Sequence, residues 1–202
     1  MDTEKDSYLT VEGEAEAVYR QLSSKFFAYA YHVESEQQIK EHLDALRKRY
    51  YDATHHCYAY RLGHDGATFR ANDDGEPSST AGKPILGQLL SADVTDTLVV
   101  VVRYFGGTKL GVPGLIQAYR ESTAAVLEHS TIVRRTVDCT FEVAFSYTAM
   151  NDIMRIVKDM QPRIVEQRFD NLCSMRLAIR SSHAERLAAR LSDVEGATVE
   201  RI

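Results

Sequence analysis

The chain has 202 residues, with 24 Lys and Arg against 29 Asp and Glu, and 44% of its residues are hydrophobic. This length predicts one large domain or two small ones, and the apolar content with a net charge of −5 excludes a disordered chain. The 3 cysteines are an odd number with no CxxC pair, which argues against a disulfide framework and against a zinc ribbon and is typical of a reducing cytosol. The acidic start lacks a signal peptide's apolar core, and the longest apolar run, Leu98–Val102, is too short to span a bilayer. We therefore expect a soluble cytoplasmic protein without membrane contact.

The first part of the chain, up to about residue 135, predicts a mixture of strands and helices. Ser35 with Gln38 forms a capping box that begins a helix, and Gly63-His64-Asp65-Gly66 is typical of a hairpin turn. Pro113 suits the first residue of a helix that runs to about His129. The predicted strands are Lys25–His32, His56–Leu62, Ala67–Ala71 and Thr97–Phe105. The last of these is almost unbroken in β-forming residues, which predicts a central strand buried on both faces.

Residues 137–202 predict a second domain, joined to the first by a connector over Ser130–Thr136. Apolar residues alternate strictly from Val137 to Phe145, which indicates a half-buried strand. A helix ended by Pro162 follows, and Ser182 with Glu185 is interpreted as a capping box that begins a second helix. Further strands are expected at Ile164–Phe169, Cys173–Ile179 and Ala197–Ile202, with a tight turn at Asp170-Asn171. The resulting β-α-β-β-α-β order is typical of the ferredoxin-like arrangement.

An acidic loop over Asn72–Pro84 carries the first group of candidate functional residues. Its carboxylates, Asp73, Asp74 and Glu76, could bind a divalent cation or act as an acid and a base. The alternative is a β-turn at Asp74-Gly75 followed by Ser or Thr capping of the helix around Pro84–Leu90, because these residues are typical of turns and caps.

A glycine loop over Arg103–Gly114 follows a predicted buried strand and begins a helix. Backbone amides that converge at the start of a helix favour an anion, so this loop is a candidate anion or RNA site. It departs from the P-loop because Val112-Pro113 stands where Lys-Ser/Thr is needed. The alternative is that the glycines only allow a strand and a helix to pack closely. The candidate binding residues are Arg103, Gly106, Gly107, Lys109, Gly111 and Lys83.

The run His55-His56-Cys57 has the residue types of a metal site but not the geometry. Neighbouring side chains on a strand point to opposite faces, so His55 and Cys57 share a face and His56 points away. Two ligands are too few for zinc, so packing or hydrogen bonding is expected, with no metal or other cofactor. A Cys57 nucleophile beside His55 is the alternative. The net charges, −4 over residues 1–135 and −1 over residues 136–202, argue against avid nonspecific binding of nucleic acid.

Taken in order, these segments resemble the IMPACT family, in its bacterial YigZ-like branch. The resemblance is carried by Ser24-Lys25-Phe26, Asp52–Cys57, Asp73–Pro77, Thr80–Pro84, Val102–Gly107, Leu110-Gly111 and Gly114-Leu115. It implies an α+β fold of two domains. Residues 1–135 would be an IMPACT-type domain with the fold of a ribosomal protein's second domain, shared by domain IV of elongation factor EF-G. Residues 136–202 would be a ferredoxin-like domain similar to domain V of EF-G.

The resemblance also implies a role in translation. Eukaryotic relatives restrain a starvation-activated kinase by competing for its activator, but they use an additional amino-terminal domain for this. The leading hypothesis is a noncatalytic regulator or binding module that contacts RNA, the ribosome or a translation factor. The alternative is an enzyme for a small phosphorylated or nucleotide ligand, with acids from the acidic loop and the anion held by Lys83 and the 106–111 amides. The family offers no agreed catalytic residue, and the sequence leaves the oligomeric state open.

Overall fold

The computed structural model describes residues 6–170 and 172–202. They form two compact units: a first unit of residues 8–135, and a second unit of residues 136–202 that also includes residues 6 and 7. Each unit mixes strands with helices, as the sequence predicts. In the part of the chain that is described, no helix combines the length and apolarity needed to cross a membrane.

The first unit is built on a five-stranded antiparallel sheet in the order β2-β3-β6-β4-β5, and β1 and β7 form a separate two-stranded sheet. Its strands are β1 (Ser7–Glu12), β2 (Glu14–Gln21), β3 (Ser24–His32), β4 (His55–Leu62), β5 (Thr68–Asn72), β6 (Thr97–Tyr104) and β7 (Thr131–Thr136). Its helices are α1 (Glu36–Arg49), α2 (Gly82–Ser91) and α3 (Gly111–His129).

Strand β6 lies in the middle of this sheet, as its unbroken apolar sequence predicts. Because side chains alternate along a strand, Val99 and Val101 pack with α2 and α3 on one face. Leu98, Val100 and Val102 pack with α1 on the other face. The N-terminal cap of α1 is also as predicted, since the Ser35 hydroxyl accepts a hydrogen bond from the N–H of Gln38.

Three parts of the first unit differ from the sequence prediction. The segment predicted as a connector, Ser130–Thr136, is mostly strand β7, which pairs with β1. The partner comes from the opposite end of the unit, so no local pattern marks the pairing. Strands β1 and β2 were not predicted, and α3 begins at Gly111 rather than at Pro113.

The second unit is a four-stranded antiparallel sheet in the order β11-β8-β10-β9, with two helices. Its elements are β8 (Asp138–Phe145), α4 (Met150–Met160), β9 (Arg163–Phe169), β10 (Cys173–Arg180), α5 (Ser181–Ser192) and β11 (Ala197–Arg201). The inward residues of the strands, including Phe141 and Leu177, pack against Ile153 of α4 and Leu187 of α5. The predicted turn at Asp170-Asn171 lies partly outside the described residues.

The capping box predicted for α5 is wrong. Strand β10 runs directly into α5, so the N-cap position falls on Arg180, and no side chain in the described part of the chain caps the helix. The Ser182 hydroxyl instead donates a hydrogen bond to a carboxylate oxygen of Asp6 at 2.5 Å. The pattern correctly predicts that a helix begins near Ser182. However, α5 already begins at Ser181, directly after the end of β10, so Ser182 lies inside the helix rather than at its N-cap.

Candidate functional site

The acidic loop and the glycine loop meet at one end of the five-stranded sheet. Asn72, the last residue of β5, is the register partner of Tyr58 in β4, and His55 at the start of β4 is the register partner of Arg103 near the end of β6. The acidic loop after β5 and the glycine loop after β6 therefore leave the sheet at the same end. Together they line a cleft of about 500 Å³. Its walls include Pro77, Leu110, Val112 and Leu115, and polar groups of both loops reach into it.

A buried ion pair joins the two loops. One oxygen of Glu76, Oε1, accepts hydrogen bonds from Arg103 Nη1 at 2.6 Å and from the Tyr119 hydroxyl at 2.8 Å. The Glu76 and Arg103 side chains are only 3% and 7% exposed, so each charge depends on the other for compensation. Burial, followed by the neighbouring Cys57 and Glu76, raises the pKa of Tyr119, whose hydroxyl therefore stays protonated and donates.

Cys57 is a protonated core thiol beside this pair. Its sulfur lies 3.0 Å from the carbonyl oxygen of Asp73 and 3.3 Å from the Tyr119 hydroxyl, and both can accept the thiol proton. Burial raises the pKa of Cys57, with the nearby carboxylates acting in the same direction. A thiolate is the nucleophilic form of cysteine, so this environment argues against Cys57 as a nucleophile.

The two neighbouring histidines separate, as strand alternation predicts. His55 lines the cleft; its Nδ1 donates to the Asp74 carbonyl oxygen at 2.8 Å, because a carbonyl only accepts. Its Nε2 lies 3.9 Å from Glu76 Oε2. His56 lies on the α1 side, where burial lowers its pKa. Among the described residues no group of three or more His, Cys, Asp or Glu side chains is placed to hold a metal ion.

The other two acids of the acidic loop hold the loop itself. Asp73 Oδ1 accepts from the N–H groups of Ala81 and Gly82 at 3.0 and 2.8 Å, and Oδ2 accepts from Ser79 at 2.8 Å. Asp74 Oδ2 accepts from the N–H of His56 at 2.7 Å. The predicted Ser or Thr cap of α2 is therefore wrong, because the Asp73 carboxylate satisfies the N–H groups at the start of that helix.

The glycine loop combines close packing with an open helix start. Gly106 donates its N–H to the Ser24 hydroxyl, and a Cβ at this position would lie 2.1 Å from the backbone carbon of Ser23. Gly107 and Gly111 have φ of +88° and +67°, which glycine adopts freely. Among the residues that the structure describes, no side chain caps the start of α3. Gly106 therefore serves packing, whereas the later glycines shape a loop whose amides are available.

The structure brings together only some of the residues that the sequence predicts for an anion site. Arg103, Lys109 and Gly111 line the cleft, with the Arg103 charge paired to Glu76. Lys83 is exposed in a separate groove between α2 and α3. Sequence reasoning missed Phe105, which lines the cleft and is 50% exposed. An aromatic residue next to a glycine pair was the signal that could have found it.

Comparisons with known proteins show which family the chain matches. A family model described as the Impact N-terminal domain matches residues 22–127, which include both loops. The chain is 40% identical over 157 residues to the IMPACT family member YvyE of Bacillus subtilis, covering 77% of this chain and 71% of that protein. It is 29% identical over 190 residues to the IMPACT family member YigZ of Escherichia coli, covering 93% of each. A solved structure titled as a hypothetical protein superposes with a TM-score of 0.73 at 28% identity and covers 98% of both chains.

Proposed function

The chain belongs to the IMPACT family, and we propose that it is a noncatalytic, translation-associated binding protein that holds a nucleotide of single-stranded RNA in the cleft between the acidic and glycine loops. One observation carries this proposal: Phe105, Lys109 and the start of α3 open onto the same cleft. An exposed aromatic ring can stack on a base, while a lysine and free amides can hold the adjoining phosphate.

The cleft holds its aromatic ring in a defined place. The Arg103 guanidinium lies 5.7 Å from the centre of the Phe105 ring, and its Nη1 donates a hydrogen bond to Glu76, which holds the guanidinium in place. A ring positioned in advance loses little freedom when a base stacks on it. Within the described residues, no carboxylate comes within ion-pair distance of Lys109, so its charge is available to a phosphate.

The state of the acidic side chains favours binding over catalysis. Asp73 and Asp74 are occupied by backbone N–H groups, and Glu76 is engaged by Arg103 and Tyr119. The net charge of −5 favours a local contact with RNA over avid binding along its backbone. The likeness of the two units to domains IV and V of EF-G, with a ferredoxin-like second unit, is part of the proposal. If the chain contacts the ribosome, we expect the surfaces that resemble these two domains to make that contact.

A second candidate function is an enzyme for a small phosphorylated ligand. One observation favours it: His55 Nε2 faces the same cleft, 3.9 Å from Glu76 Oε2. An imidazole next to a carboxylate can take a proton from a bound hydroxyl or water. His55→Gln distinguishes the two functions, because it would abolish turnover by an enzyme and leave stacking of a base on Phe105 in place.

Fluorescence anisotropy with an end-labelled single-stranded RNA tests the binding proposal. Phe105→Ala is expected to weaken binding about tenfold, since base stacking on an aromatic side chain contributes roughly 1–3 kcal/mol. Lys109→Ala is expected to weaken it less, by an amount that shrinks with added salt. The matched controls are Phe69→Ala on β5 and Lys40→Ala on α1, which replace exposed residues elsewhere on the first unit.

Two results would reject this function. One is a parent protein that binds no RNA at low salt; the other is Phe105 and Lys109 variants that bind as well as their controls. The link to translation is tested by ultraviolet crosslinking in cells, with and without nuclease. We expect crosslinked ribosomal or messenger RNA with the parent protein and a loss of that signal with Phe105→Ala. Crosslinking that persists unchanged in this variant would place the RNA contact elsewhere.

A further inference from the structure

We propose that the groove between α2 and α3 binds an amphipathic helix of a partner protein, with acidic residues of that helix against Lys83 and Arg120. The groove has a volume of about 780 Å³. Its apolar lining includes Leu86, Leu90 and Ile116, and Lys83 and Arg120 flank it. It is separate from the cleft proposed to bind RNA and shares no lining residue with it.

Helix α2 is apolar on the side that faces away from the core. Ile85 and Leu89 pack into the core. Leu86, which is partly buried against the core, and Leu90, which is 55% exposed, line the groove. Lys83 is the only charged residue in the helix sequence GKPILGQLLS. A helix on the surface of a protein ordinarily carries polar residues on its outer face, and one that is apolar all round is ordinarily buried. The outer face of α2 therefore has the composition of a covered surface.

Gly87 makes room for a second backbone on this face. It lies in the middle of α2 and lines the groove, and a Cβ built there meets nothing within 4 Å. Packing against the core therefore does not require a glycine at position 87, and neither does the backbone conformation there. A missing side chain at this point lets another helix approach the α2 backbone closely. This argues for an occupant whose backbone lies directly against α2.

The charges around the groove define the chemistry of the partner. Lys83 and Arg120 have no ion-pair partner among the described residues, and the helix neighbours of Arg120 four positions away are Ile116 and Ala124. The surface continues past Gln88 and Ser91 to Glu128 and Ile132. The partner helix should therefore place its acidic residues beside Lys83 and Arg120, and a basic residue near Glu128.

The lining favours a peptide over RNA. The groove lining contains aliphatic side chains but no aromatic ring, and bases bind single-strand sites by stacking on aromatic rings. Apolar grooves between helices instead accept the apolar face of a partner helix, which inserts side chains at i, i+3 or i+4 and i+7. The two cations then contribute orientation and association rate.

Selection from a displayed library of helical peptides, followed by anisotropy with the synthetic peptides selected, tests this proposal. We expect selected sequences with leucine-like residues at helical spacing and Asp or Glu at one end. The double variant Lys83→Glu/Arg120→Glu should bind them about tenfold more weakly, because each exposed ion pair contributes modestly. Its matched control is Lys40→Glu/Lys48→Glu on α1, which makes the same charge change on the opposite face of the sheet. Peptides with Lys in place of the acids should restore binding to the first double variant.

The remaining outcomes overturn the proposal. They are a library that yields no peptide binding to the parent, peptides that bind the two double variants equally, and peptides that single-stranded RNA displaces. A concentration-dependent dimer in analytical ultracentrifugation that Lys83→Glu/Arg120→Glu abolishes would identify a second copy of the chain as the occupant instead. Phe105→Ala should bind the peptides as the parent does, so failure of the RNA function leaves this result unaffected.

Discussion

Replacing Glu76 by glutamine is expected to destabilise the first unit by about 3 kcal/mol, because removing one partner of a buried ion pair leaves the other charge uncompensated. The side chains of Glu76 and Arg103 are 3% and 7% exposed and lie 2.6 Å apart. Glutamine keeps the shape and an acceptor for the Tyr119 hydroxyl, so the loss reports the missing charge rather than a cavity. We therefore place the effect at the low end of the range for broken buried pairs, which is roughly 3–5 kcal/mol.

Urea unfolding followed by tyrosine fluorescence measures this effect in the correct part of the molecule. Every tyrosine except Tyr147 lies in the first unit, so the signal reports almost entirely on that unit. With an m-value of about 2 kcal/mol/M, the unfolding midpoint should fall by about 1.5 M. Glu121→Gln on the exposed face of α3 is the matched control and should leave the midpoint unchanged.

A double-mutant cycle with Arg103→Met separates the ion pair from other losses. Arg103 also lies 5.6 Å from the centre of the Phe26 ring, so its replacement alone removes more than a charge. If the pair is coupled, the double variant should be more stable than the sum of the single changes predicts, by about 2 kcal/mol. Additive single effects, or a Glu76→Gln variant as stable as the parent, would refute the claim that this pair holds the two loops together.

Other changes test how the loops are built. Gly106→Ala should cost about 2 kcal/mol or more in thermal unfolding, because the new Cβ would lie 2.1 Å from the Ser23 backbone, whereas Gly87→Ala should be tolerated. Asp73→Ala should cost about 1–2 kcal/mol by removing the cap of α2. Asp73→Asn should cost less, because its Oδ1 still accepts from the N–H groups of Ala81 and Gly82, although its amide nitrogen cannot accept from the N–H of Ser79. Burial raises the pKa of Cys57, so at a pH above about 9 the thiol stays protonated in the folded protein but ionises in the unfolded chain. The free energy of unfolding should therefore fall as the pH rises above about 9. Cys57→Ala should remove that part of the fall.

The sequence by itself determined the elements whose signals are local. The apolar run of β6 marked the central strand, since a strand covered on both faces needs apolar residues at every position. Ser35 and Gln38 marked the start of α1, because a cap involves residues of one helical turn. Alternation placed His55 and Cys57 on one face and His56 on the other. The family resemblance, which the comparisons confirm, also depended on contiguous motifs.

Only the tertiary structure decided what the polar residues of the site do. Three acids in one loop looked equivalent in the sequence, yet Asp73 caps α2 and Glu76 pairs with Arg103, because their partners lie on other elements. Strand β7 looked like a connector because its partner, β1, comes from the far end of the unit. The sequence places Lys83 with the basic residues in or beside the glycine loop, but in the structure its position on α2 directs it into the groove between α2 and α3. Such outcomes depend on contacts between distant segments, which no pattern within a single segment records.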